Sequence, residues 1–159
     1  DNWVIDADAL TSFENNPDEL FVDTYPHTIF TPHEGEFRRL FGDNIASMND
    51  KVLKCVEASK IAGSIVLLKG SDTVIANPKG EVVINFSKAP YLATAGSGDV
   101  LAGIIASLVG KNKMNSFDAA CAGAWIHSKL GEYLGPGLIA EDLVDNIPYI
   151  IKKLSNYEL

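Results

Sequence analysis

Between Leu92 and Gly103 the chain reads Leu-Ala-Thr-Ala-Gly-Ser-Gly-Asp-Val-Leu-Ala-Gly, and small or apolar residues then continue to Val109. A helix over Gly98–Val109 with that composition is apolar all round, so it has to be buried between other elements rather than lie on a surface. The small residues in front of it let the backbone approach a ligand closely. A helix starting there aims free N–H groups, aligned with its dipole, at whatever faces the turn, which is the chemistry of an anion hole. Asp99, in the same turn, repels a phosphate, and reads better as a base or a contact to metal-bound water beside a transferring phosphoryl group. The plainer alternative is a turn built for tight packing, with Asp99 an ordinary first-turn acid. Other glycine motifs fit worse. A dinucleotide fingerprint would need a glycine where Leu101 stands, and a Walker loop would need Ser or Thr where Asn112 follows Gly110-Lys111.

The rest of the chain supplies layers to bury such a helix. Several short Val/Ile runs alternate with amphipathic stretches among 13 glycines, the pattern of an α/β chain. With 159 residues, 47% of them hydrophobic, one globular unit over residues 1–159 is expected. The chain opens at Asp1 without a methionine and passes at once into the strand-like Trp3-Val4-Ile5, so a preceding segment is expected and the sequence reads as a fragment. A formal charge of -8 argues against nucleic acid or an anionic membrane surface as partner, since both require clustered Lys and Arg. No apolar run is long enough to span a bilayer, and no charged segment followed by an apolar one marks a leader. Cys55 and Cys121 lie far apart in predicted helices, and read as reduced, packed thiols of a cytoplasmic protein.

Along the chain, Trp3–Asp6 reads as a buried strand emptying into a loop with Asp6 and Asp8 near its carboxyl end. Those acids either face a ligand, as residues at strand ends do in open parallel sheets, or merely cap and solvate the loop. Thr28–Phe30 is a second strand. Thr31 and Glu34 have capping-box spacing with Pro32 at the first helical position, which predicts a helix to about Phe41 carrying His33 in its first turn. Lys51–Ala62 predicts an amphipathic helix stopped by Gly63, and Ile65–Leu68 a buried strand. Thr73–Ala76 and Glu81–Asn85 flank the turn Asn77-Pro78-Lys79-Gly80 and predict a hairpin. Ser116 is expected to cap an Ala-rich helix ending at Gly135-Pro136-Gly137. A last helix over Ala140–Leu154 is expected to be interrupted at Pro148.

Lys69-Gly70-Ser71-Asp72-Thr73 follows a buried strand. A lysine and glycine there can meet the phosphates or ribose of a nucleotide, or can simply be solvated in a turn. His27 and His127 read as structural, and no second histidine lies at metal-ligand spacing from His33.

Taken together, Thr31-Pro32-His33-Glu34-Gly35-Glu36, Leu68-Lys69-Gly70 with Thr73, and above all Leu92–Gly103 resemble the successive motifs of the ADP- or ATP-dependent NAD(P)H-hydrate dehydratases. Ile5-Asp6-Ala7-Asp8-Ala9-Leu10 and Leu138-Ile139-Ala140 with Asp142-Leu143 add to the likeness, which covers nearly the whole chain. The resemblance implies a ribokinase-like, three-layer α/β/α fold with a mostly parallel sheet that lacks its amino-terminal half. It implies removal of water from hydrated NADH or NADPH, with hydrolysis of ADP or ATP and with magnesium. It also implies a homo-oligomer and a fused or separate epimerase as partner. Carried over position by position, His33 and Asp99 contact the hydrated dinucleotide, and Asp99 is catalytic. Lys69, Gly70, Ser71, Asp72 and Thr73 hold the adenine nucleotide together with Gly96, Ser97 and Gly98. No protein residue is assigned as a metal ligand.

The implied chemistry is coherent. Hydroxide leaves poorly, so phosphorylating the ring hydroxyl turns it into phosphate before elimination. Asp99 would take the hydroxyl proton while the amides around Ala95–Gly98 and magnesium offset developing charge. Two departures stand out: Ala89-Pro90 replaces the family's usual Asn-Pro, and the missing amino-terminal half supplies part of the dinucleotide pocket. Two other functions compete. A small-alcohol kinase of the same fold, acting on a hydroxymethylpyrimidine or hydroxyethylthiazole, would make a stable phosphate ester. A non-catalytic module would bind adenine nucleotide without turnover.

Overall fold

The protein was analysed as a computed structural model that describes residues 2–156; Asp1 and residues 157–159, the ends of the expected 1–159 unit, lie outside the described residues. Among the described residues five strands form one sheet in sequence order: β1 (Val4–Ile5), β2 (Ile29–Phe30), β3 (Ile65–Leu68), β4 (Asp72–Ala76) and β5 (Val82–Phe86). β1, β2 and β3 pair in parallel, whereas β4 is antiparallel to both β3 and β5, so of these five β4 alone runs against the rest. The mostly parallel sheet is therefore present, with the expected hairpin at one edge.

Side-chain alternation along the strands divides the core in two. Phe30, Val66, Leu68 and Val74 face one side, where α3 (Glu34–Ala46) and α4 (Lys51–Ala62) cover them with Phe37, Cys55 and Ala58. Two short helices, α1 (Asp8–Thr11) and α2 (Pro17–Val22), contribute Leu10 and Leu20 to the same layer. Ile29, Leu67 and Ile75 face the other side, against Leu101 and Ile105 of α5 (Ser97–Gly110) and Ala120 and Ala124 of α6 (Ser116–Leu134). Helix α7 (Ala140–Ser155) closes over α5 and α6 through Leu143 and Ile150. β3 is buried on both faces, which explains its unbroken apolar run. This is the three-layer α/β/α arrangement.

Helix ends depart from expectation in ways that have local causes. Helix α3 begins at Glu34 and is capped by His33, not Thr31: His33 Nδ1 accepts from the amides of Gly35 and Glu36, and the Glu36 carboxylate accepts from His33 N at 2.8 Å. Thr31 and Pro32 are held by the sheet instead, since Thr31 N donates to Ile5 O and Lys69 N donates to Pro32 O. The helix reaches past Phe41 to Ala46, with a break at Gly42, whose φ of 74° leaves the helical region. In α6 the cap is Asn115, whose Oδ1 accepts from Phe117 N and Asp118 N, and Ser116 is the first helical residue. Pro148 does not interrupt α7; it lies on the exposed side, and the turn before it contains exposed Val144, so the carbonyl left without a donor is on the wet side. Helix α5 is not buried all round either. Asp99, Gly103, Ala106 and Gly110 form an exposed stripe along it.

Candidate functional site

β1, β2, β3 and β5 all point the same way, and the segments that follow β2, β3 and β5 line one cleft of about 790 Å³. Ligands collect at this end of an open α/β sheet, because the loops there leave backbone groups unpaired by the ladder. Of the residues singled out from sequence, His33, Lys69, Gly70, Ser71, Thr73, Ser97 and Gly98 line the cleft. Gly96, Asp72 and Asp99 do not. Gly96 stands just before α5 in the left-handed conformation, at φ 79°, and makes the turn that α5 starts from. Asp72 is drawn to Lys51 at 3.0 Å, and the bonded ammonium holds its carboxyl below the usual range. Asp99 is exposed on the first turn of α5, at the end of the open stripe.

The amino end of α5 differs from those of α3, α4 and α6 in having no side-chain cap. Asp50 caps α4, Asn115 caps α6 and His33 caps α3, whereas Gly96 has no side chain to accept from the first turn of α5. Unfilled N–H groups at a helix start are a ready anion seat. Lys69 faces this seat and, among the described residues, is the one Lys or Arg in the cleft wall. A side chain built on Gly98 would put its Cβ 3.3 Å from Lys69 Nζ and 3.7 Å from Asp6 Oδ2, so glycine is what allows the turn and the lysine to approach.

Lys69 is not free on a loop. Its ammonium bonds Asp6 Oδ1 at 2.8 Å and lies 3.8 Å from Glu36 Oε2, and the three side chains are 20%, 10% and 8% exposed respectively. Asp6, at the end of β1, is thus tied to Lys69, while Asp8 starts α1. The sequence marks Glu36 only as part of its motif; its position three residues after His33 is the signal that could have found it. Two carboxylates around one ammonium hold it in a fixed direction. Removing one partner of so buried a pair typically costs about 3–5 kcal/mol.

His127 is a second residue whose place the sequence does not disclose. It sits in the cleft wall, 8% exposed, with Nε2 2.9 Å from Ser97 Oγ. Burial, helped by the nearby Lys69 charge, pushes its pKa down from 6.5 to about 4, so the imidazole is neutral at ordinary pH. His27 lies at the opposite end of the sheet. Among the described residues no three His, Cys, Asp or Glu side chains converge as a metal site, and no helix is long and apolar enough to cross a membrane. Cys55 is buried in α4 and Cys121 half-buried in α6; both are free thiols, pushed up to about 12 and about 11 by burial.

A family profile described as NAD(P)H-hydrate dehydratase matches residues 1–152. The chain belongs to that family. A bifunctional NAD(P)H-hydrate repair enzyme of Moorella thermoacetica is 40% identical over 159 residues, covering 95% of this chain and 29% of that protein. An ADP-dependent (S)-NAD(P)H-hydrate dehydratase of Neisseria meningitidis is 39% identical over 133 residues, covering 82% of this chain and 45% of that protein. Among solved structures, a ribokinase-like superfamily protein of Enterococcus faecalis superposes with a TM-score of 0.78 at 26% identity, over 94% of this chain and 52% of that one. The ADP/ATP-dependent NAD(P)H-hydrate dehydratase of Bacillus subtilis, co-crystallized with ATP and magnesium, gives a TM-score of 0.77 at 26% identity, over 94% of this chain and 54% of that one. The fold is ribokinase-like, and the chain spans about half or less of the proteins it matches. Ala89 and Pro90, the pair singled out from sequence as a departure, both line the cleft.

Proposed function

We propose that this chain forms the nucleotide-binding part of an ADP- or ATP-dependent dehydratase that returns hydrated NADH and NADPH to the reduced cofactors. The observation that carries the reading is the uncapped start of α5, with Lys69 held against it at the floor of the cleft. The nucleotide lies along Lys69–Thr73, with its phosphates on the amides of Gly96–Gly98 and on the Lys69 ammonium. His33 keeps Nδ1 in the α3 cap and, with Nε2 3.5 Å from Glu36 Oε1, presents a side chain 54% exposed to the hydrated ring. Asp99 takes the proton of the ring hydroxyl as the phosphoryl group is transferred, and phosphate then leaves in place of hydroxide. What supports Asp99 is its place in the phosphate turn and its exposure, which leaves the carboxylate accessible to a substrate seated across α5. Magnesium would arrive with the nucleotide and would supply charge neutralisation at the phosphates, with no protein residue assigned as its ligand.

The same reading makes the protein cytoplasmic, where reduced cofactors and free thiols belong. It also makes it a partner of an epimerase, fused or separate; what supports this is that relatives of the chain are named bifunctional repair enzymes. A homo-oligomer is part of the reading too. What supports it is the outer edge of the sheet at β5, which carries exposed Ile84 and Phe86 and none of the charges or prolines that protect edges.

The test is recovery of near-ultraviolet absorbance of the reduced nicotinamide from hydrated NADH with ADP or ATP and magnesium, using the full-length protein. Recovery is expected for the wild type and a loss of about 1,000-fold or more for Asp99→Asn with nucleotide affinity retained, the scale for removing a base that acts in the transition state. A phosphate ester accumulating from a small alcohol instead would make it a kinase; nucleotide binding without turnover would make it a module.

A further inference from the structure

Three positions four residues apart, Gly123, His127 and Gly131, form one stripe on α6. Each end of the stripe is a close contact that admits no side chain. A Cβ on Gly123 would lie 2.5 Å from Ile105 Cγ1 of α5, and one on Gly131 would lie 2.6 Å from Leu92 Cγ and 2.8 Å from Ala89 Cβ. The stripe therefore docks α6 against α5 on one side and against the segment that leads into the phosphate turn on the other. His127, between the two, reaches Ser97 at 2.9 Å, and the residues are 8% and 2% exposed.

The turn itself is otherwise held loosely by side chains. Gly96 provides no cap, Ser97 N reaches Thr94 O at 3.3 Å, and Ser97–His127 is the one side-chain hydrogen bond made by residues 93–99 among those described. We propose that His127 is a positioning residue of the phosphate turn: through Ser97 it fixes the first turn of α5 against α6, so that the turn's amides stay aimed at the nucleotide phosphate. A histidine suits the task better than a lysine or arginine. Buried and neutral, it orients Ser97 without adding a second cation that would pull the phosphate away from Lys69 into the wall. The inference rests on the nucleotide reading of the turn.

The experiment is calorimetric titration of ADP and ATP, with magnesium, into the full-length protein and its His127→Ala, His127→Gln, Ser97→Ala and Ser97→Ala/His127→Ala variants, with steady-state kinetics alongside. His127→Ala and Ser97→Ala are each expected to weaken nucleotide binding about 10-fold, the scale of one lost hydrogen bond. The double variant is expected to be no weaker than either single one, because both remove the same tether. Gln places an amide near the Nε2 position and should restore affinity to within about 3-fold. For His127→Ala, kcat at saturating nucleotide should hold while KM for the nucleotide rises. Unchanged affinity in His127→Ala or Ser97→Ala, or additive losses in the double variant, would overturn the proposal even if thermal stability falls. A wild-type protein that binds neither nucleotide overturns it together with the reading it rests on, whereas intact wild-type binding confines the failure to His127.

Discussion

The two ends of the sheet present similar materials used differently. At the amino-terminal end of β3 a hollow of about 500 Å³ is lined by His27, Asn77, Lys79 and the start of α6. There the polar groups satisfy one another: Asn115 caps α6, and the Asn77 carboxamide holds the hairpin turn by accepting from Lys79 N and Glu81 N. At the other end, α5 begins on a glycine with no cap, and the charges around Lys69 are arranged to face it. The lesson is that concavity and a helix start are not enough to mark a site. What distinguishes the cleft is a set of donors that the fold itself leaves unfilled.

That contrast can be broken by substitution. Gly98→Val fills the gap between the turn and Lys69 and should weaken nucleotide binding about 100-fold or more, because the phosphate and the new side chain need the same space. Equilibrium dialysis with ADP measures it, and unchanged affinity would remove the turn from the site. Lys69→Met leaves Asp6 and Glu36 facing each other without their cation. Urea denaturation should show a loss of about 3–5 kcal/mol at neutral pH, recovered in part when Asp6 is also replaced by Asn.

Acid sharpens the comparison further. The folded-state pKa of His127 lies near 4, below the ordinary 6.5, so protonation favours the unfolded chain. Its contribution is fully retained above about pH 6.5 and lost as pH falls toward 4. The loss is about 2 kcal/mol by about pH 5, and should be absent in His127→Gln denatured in parallel. Equal acid sensitivity in both proteins would mean that the imidazole is not buried in the neutral form. The smallest effect belongs to the far end. Asn115→Ala should cost about 1 kcal/mol in stability through the lost cap and leave nucleotide affinity untouched.

Elements whose signals are local can be read from the amino-acid sequence alone. α4 runs from Lys51 to Ala62 and β3 from Ile65 to Leu68, as periodicity and the Gly63 stop indicate, and the hairpin follows from its turn. Caps are legible only to within a residue or two. Thr31 and Ser116 are good capping types, yet the sheet uses the backbone at Thr31 for pairing, and Asn115 reaches the α6 amides from one residue earlier. The phosphate turn is visible because small residues running into an apolar helix form a contiguous pattern. Its supports are not. Lys69 meets Asp6 across 63 residues and His127 meets Ser97 across 30, and no periodicity announces a pairing made by the arrangement of four elements. The open stripe on α5 is hidden for a related reason: composition shows which residues are small, and only packing shows which face is covered.

The central claim is that the uncapped turn, and not the other hollow, receives the nucleotide phosphate. Titration of the isotope-labelled protein with ADP and magnesium, followed by amide NMR shifts, tests it directly. The account predicts that the largest shifts fall on Ala95–Gly98 and Lys69–Thr73, with Asn115–Asp118 undisturbed. Shifts centred on Asn115–Asp118 and Asn77–Glu81, with the α5 turn silent, would contradict it.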